Sequence, residues 1–135
     1  MSFYSKYEQL LNTEFSIDYW SDEIIDEAIF IISNFNDKDW DNLSGNWRNK
    51  DAKWKERCAE TLSEIESQKR LYILLSMLDS ETEEVLEAVV DSLYSLAQQN
   101  VQIGLTLKQK EKIKKLSKTG KITKIIASNL LEKID

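Results

Sequence analysis

No proline interrupts this chain, and three of its 135 residues are glycine. Turns that need either residue are therefore scarce, and long runs of backbone are free to close the i→i−4 hydrogen bonds of an α-helix. The side chains agree. Apolar residues recur three and four apart nearly from end to end: Phe3, Tyr7, Leu10 and Leu11; Ile25, Ala28, Ile29 and Ile32, widened by Ile24, Ile31 and Phe35; Trp54, Cys58, Leu62 and Ile65. Leu71, Leu74, Leu75 and Leu78 follow, then Leu86, Val89, Val90, Leu93 and Ala97, then Ile113 with Leu116, then Ile122, Ile125, Ile126 and Leu130. This spacing lines one face of a helix. No stretch alternates with a period of two, so the expected fold class is all-α, without a sheet.

Punctuation places the breaks. Ser80 with Glu83, and Thr106 with Gln109, have the spacing of capping boxes. Gly120 reads as a helix stop. Residues 36–50 read as a loop. A single domain over 1–135 is expected, long enough to bury a core without disulfides or metal. The lone Cys58 lies on an apolar row and reads as a small core residue.

The helices also repeat. Subtracting 46 from positions 71, 74, 75 and 78 gives Ile25, Ala28, Ile29 and Ile32. Subtracting 31 from positions 85, 89, 90, 93 and 96 gives Trp54, Cys58, Ala59, Leu62 and Ile65. Adding 37 to the same positions gives Ile122, Ile126, Ala127, Leu130 and Lys133. The first two offsets differ by 46 − 31 = 15 residues, which marks 36–50 as an insertion inside the first helix pair. The segment LLSMLDSETEEVLEAVVDSLYSLA, residues 74–97, resembles one repeat of the HEAT family, and the resemblance extends over roughly 20–135. It implies a HEAT-like α-solenoid of about three antiparallel helix pairs, preceded by a short N-terminal helix, with an extended concave binding face.

Chemistry-bearing patterns are sparse. There is no histidine, which removes the commonest general base and metal ligand, and no glycine-rich loop to cradle a phosphate. Asp37, Asp39 and Asp41 alternate as at the start of a calcium-binding EF-hand loop. The sixth position of that loop is Asn42 where glycine is needed, and the twelfth is Arg48 where a glutamate should close the cage. The carboxylate pairs Glu56/Glu60 and Glu87/Asp91 sit four apart on faces expected to be solvated, with nothing to raise one pKa of a pair. No enzyme activity, cofactor or metal is expected. The start MSFYSKYEQLL has neither a basic nor an apolar leader region, and no apolar run approaches the ~18 residues that span a bilayer. The expected compartment is the cytoplasm, with no membrane partner.

Net charge is −6, and it is unevenly divided. Residues 1–100 hold 9 Lys+Arg and 21 Asp+Glu, so 9 − 21 = −12; residues 101–135 hold 9 and 3, so 9 − 3 = +6. The lysine-rich end has no arginine or aromatic residue for nucleic acid and reads as the polar cap of a terminal repeat. The acidic body points to a basic partner. Glu56 and Glu60 become Glu87 and Asp91 at the offset of 31, so stacked repeats would gather the four into one acidic patch, extended by Asp37, Asp39 and Asp41. Trp40, Trp47 and Tyr94 have two open roles, as core side chains or as interface anchors.

In size, charge and repeat style the chain is similar to the immunity proteins of bacterial polymorphic and contact-dependent growth-inhibition toxins. That resemblance implies a tight one-to-one complex with a cognate toxin protein, often a basic nuclease whose cleft the acidic surface would cover. The alternative is a small HEAT-like adaptor unrelated to toxins.

Overall fold

The computed structural model describes residues 1–120 and 124–134, with side chains described through residue 120 and over 125–131. Ile122, one of the repeat positions, and the side chains of Lys124 and Lys133 lie outside the described residues. Among the described residues every regular element is helical and no strand occurs, as the periodicity predicts. The chain divides into two compact units, Met1–Arg70 and Leu71–Asp135.

The first unit opens with α1 (Phe3–Asn12), whose N-cap Ser2 accepts the Ser5 N–H at 3.1 Å. Tyr4, Tyr7 and Leu11 are its buried positions, spaced for one helical face. Ser16 then caps the short α2 (Ile17–Tyr19). This runs without a break into a π-helical turn, Trp20–Ile24, and on into α3 (Ile25–Ser33). The widened turn closes with the Ile25 N–H on the Trp20 carbonyl, five residues back.

Residues 36–50, expected as a loop, form α4 (Asp37–Asn46) and a 3₁₀ turn, Trp47–Asn49. The cause is local. The Asn36 side chain accepts the Asp39 N–H at 2.8 Å, and the Asp39 carboxylate accepts the Asn36 N–H at 3.1 Å, a reciprocal cap that satisfies two otherwise orphaned donors. Asp51 caps α5 (Ala52–Leu62) through the Trp54 N–H at 2.9 Å.

Helix α1 packs on α3, α4 and α5, and α3 packs on α5. Tyr7 meets Phe35 and Trp54 edge-on, at ring separations of 5.5 and 6.0 Å, and Phe35 meets Trp40 at 5.2 Å. Such edge-to-face pairs add to the burial of their large apolar areas. Buried Arg57 donates from Nη1 to the Leu11 carbonyl at 3.0 Å and the Thr13 carbonyl at 2.7 Å, closing the C-terminal end of α1.

The boundary between the units falls inside α6 (Gln68–Ser80). The second unit continues with α7 (Glu83–Gln98), α8 (Leu107–Lys118) and α9 (Lys124–Ile134), with α9 packed on both α7 and α8. Ser80 is not a cap. It ends α6 with its hydroxyl on the Ser76 carbonyl, and Thr82 holds the N-cap position of α7 without a side-chain bond. The Thr106–Gln109 capping box forms as predicted, and Gly120 ends α8 at φ +79°. Helix α7 ends on Asn100, whose φ of +66° lets the Val101 N–H return to the Leu96 carbonyl at 3.0 Å. At the end of α6, Lys112 donates to the Leu78 carbonyl at 2.6 Å, and Gln109 to Asp79 at 2.9 Å.

Candidate partner-binding surface

The ten residues singled out from the sequence divide into those used inside a unit and those that reach its surface. Asp39, Trp40 and Trp47 belong to the first group. Asp39 is buried, and besides capping α4 its carboxylate accepts the Tyr4 N–H at 3.2 Å, linking α4 to the first turn of α1. Trp40 is 6% exposed and Trp47 1%. Of the two roles open to these tryptophans, the structure takes the core one. Arg48 covers the Trp47 ring at 4.5 Å.

Asp37 and Asp41 are exposed. Asp37 pairs with Lys69 at 2.9 Å, and that hydrogen bond holds its carboxyl below the usual aspartate value. Residues two apart on a helix point about 200° apart, so the buried Asp39 faces away from the exposed Asp37 and Asp41, and the three do not converge on one point. Among the described residues, no group of three acidic or cysteine side chains is arranged to hold a metal ion.

On α5, Glu56 and Glu60 are half-buried and line a hollow of about 220 Å³ with Ile17, Trp20, Ser21, Lys53 and Arg57. Glu60 accepts the Trp20 Nε1–H at 2.8 Å, and the Arg57 guanidinium stacks 5.0 Å from the Trp20 ring. The Glu60 carboxylate therefore orients the indole, while the two cations in the lining offset the two acids. This hollow is amphipathic, and it is less acidic than the bare pair Glu56/Glu60 implies.

On α7, Glu87 and Asp91 are exposed and Tyr94 is half-buried. They fall at spacings of four and three, on one face, and the Tyr94 hydroxyl accepts from Gln98 Nε2 at 2.7 Å. Opposite them, Val85, Leu86, Val89, Val90, Leu93, Leu96 and Ala97 are buried. Half-burial at the flank of the apolar row gives Tyr94 a fixed ring base and an accessible hydroxyl.

One acidic surface was missed by reading carboxylate pairs alone. Between Lys6 and Lys38 the sequence contains no lysine or arginine and eight carboxylates, at 8, 14, 18, 22, 23, 26, 27 and 37. Asp18, Asp22, Glu23, Asp26 and Glu27 are all exposed on α2, the π turn and α3. The signal that finds them is the length of chain without a base. No helix among the described residues is long and apolar enough to cross a membrane. No family of known proteins, no curated protein and no solved structure matches this chain.

Proposed function

We propose that this chain is an inhibitory binding protein that covers the basic surface of a single protein partner, in the manner of the immunity proteins of bacterial toxin systems, on a HEAT-like arrangement of helix pairs. The observation that carries this reading is the α7 face, where Glu87, Asp91 and Tyr94 stand in line over a reverse side that is apolar but for Ser92. Exposed carboxylates raise the encounter rate with a cationic surface, and a tyrosine on a rigid helix supplies contact area with little rotamer entropy to lose. The helix-pair order rests on the sequence offsets, which set α7 and α5 in equivalent places.

The experiment is co-expression with the toxin encoded beside this gene, scored by cell survival. The double variant Glu87→Lys, Asp91→Lys alters exposed side chains and leaves the core of its unit intact. Loss of protection with retained helicity supports the reading. Protection equal to the parent's removes α7 from the interface.

A further inference from the structure

The outward side of the π turn and α3 carries an alignment that the acidic pairs on α5 and α7 do not explain. Inward positions of this segment are Trp20, Ile24, Ala28, Ile31 and Ile32, all buried. The opposite side follows the helical steps 19, 22/23, 26 and 30: Tyr19, Asp22 with Glu23, Asp26, and Phe30. Tyr19 is 51% exposed and Phe30 66%. A solitary exposed apolar side chain needs no explanation. Here two large rings fall eleven residues apart on one side, with carboxylates set between them.

We propose that this face docks a cationic amphipathic segment of a protein partner, with apolar side chains seated at Tyr19 and Phe30 and Lys or Arg side chains lying over Asp22, Glu23 and Asp26. Charge complementarity selects this occupant. The 31 residues between Lys6 and Lys38 carry eight carboxylates and no base, so a nucleic acid or an anionic bilayer is repelled despite the exposed rings. Two copies pairing through this face would set the acidic stripe against itself, and pairing with the lysine-rich end of a second copy would show as self-association of the parent protein in sedimentation, which would overturn the proposal. The rings are eleven residues apart, roughly 16 Å along a helix at 1.5 Å per residue. A partner helix therefore reaches both with apolar residues at the same separation. The inference shares the basic partner of the proposed function but rests on different helices.

The test uses the intact protein and a synthetic lysine- and alanine-rich helical peptide with two leucines eleven residues apart. The probes set beside it are the glutamate-for-lysine peptide and vesicles with and without phosphatidylserine. The lysine peptide is expected to bind, more weakly as salt rises, while the glutamate peptide and both vesicles do not. Phe30→Ser and, separately, Asp22→Asn with Asp26→Asn should each weaken peptide binding at least tenfold, with circular dichroism unchanged. The proposal is overturned if the parent does not bind the lysine peptide, if vesicles bind comparably, or if both variants bind like the parent. Glu87→Lys, Asp91→Lys separates the two readings. It should keep peptide binding, so a failure of cell protection there and a failure of peptide binding here are independent results.

Discussion

The Tyr7 hydroxyl donates to Thr61 Oγ1 across 2.6 Å, because the single hydroxyl proton of Thr61 is directed to the Cys58 carbonyl 2.9 Å away. Both side chains are fully buried, so this one hydrogen bond satisfies a polar group on α1 with a polar group on α5 at the middle of the first unit's core. It ties residues 54 positions apart in sequence.

Tyr7→Phe removes the donor and leaves the ring in its aromatic cluster. A buried hydrogen bond contributes about 1 kcal/mol net, and an acceptor left without its donor adds to the loss. The expected destabilisation is about 1–2 kcal/mol in urea unfolding. Thr61→Val removes the acceptor and its own bond to Cys58, and costs a similar amount. The double variant should lose clearly less than the sum, because both single changes break the same bond. Strict additivity would show that the bond contributes nothing.

Alkaline pH should act on the same cluster. Burial pushes the Cys58 thiol up to about 12, and burial also raises the Tyr7 hydroxyl well above its ordinary value. The unfolded thiol ionises near pH 9 while the folded one keeps its proton. The stabilising contribution is therefore complete below about pH 9 and is lost as pH rises towards 12, by up to about 1.4 kcal/mol per pH unit for one group. Urea midpoints measured across that window should fall, and Cys58→Ala should flatten the first part of the fall. A midpoint constant across the window would show that these groups titrate in the folded protein as they do in the unfolded chain. In the native state at neutral pH the thiol should resist a soluble disulfide reagent until the protein is denatured.

At the end of α7, the left-handed Asn100 separates two substitutions that a surface position would not. Asn tolerates this conformation better than other non-glycine residues, and glycine adopts it freely. Asn100→Ala should destabilise by about 1 kcal/mol, whereas Asn100→Gly should be neutral or slightly stabilising. Equal effects of the two in thermal unfolding would mean that the helix ends differently in solution.

Much of the helical content was legible, because apolar spacing and the Thr106–Gln109 box are local signals. The shortfalls have physical causes. In 36–50 the aspartates and Gly45 masked the spacing of Trp40, Leu43 and Trp47, which is itself helical, and the Asn36–Asp39 cap turns that polar stretch into α4. In α6 the apolar residues nearly encircle the helix, so packing chose the face. Ile73, Leu74, Met77 and Leu78 are buried while Leu71 and Leu75 are half-buried. At the candidate surface, residue type does not say which aspartate has a backbone donor waiting. Asp39 and Asp41 look alike in sequence, but only Asp39 meets the Tyr4 N–H.

That difference is testable. Asp39→Ala removes the reciprocal half of the α4 capping box, leaving the Asn36 N–H and the buried Tyr4 N–H without their acceptor, while Asn36 still caps the residue-39 N–H. The expected loss is about 2 kcal/mol, combining a cap with an unsatisfied buried donor. Asp41→Ala, on the exposed side of the same helix, should change stability by less than about 0.5 kcal/mol. Equal effects in chemical denaturation would contradict the cap.

On the proposed reading, charge and aromatic contact with the partner should separate kinetically on α7. Glu87 and Asp91 act at a distance through their field, which salt screens within about 10 Å at 0.1 M. Glu87→Gln with Asp91→Gln should therefore slow association and flatten its dependence on ionic strength, with little change in dissociation. Tyr94→Ala should do the reverse, speeding dissociation while leaving the salt dependence of association as it was, because its ring acts only in contact. Surface plasmon resonance against the purified partner at several salt concentrations reads both rates. If the glutamine pair leaves the association rate and its salt dependence untouched, the attraction comes from another part of the chain, and the lysine-free stretch around α3 is then the surface to vary.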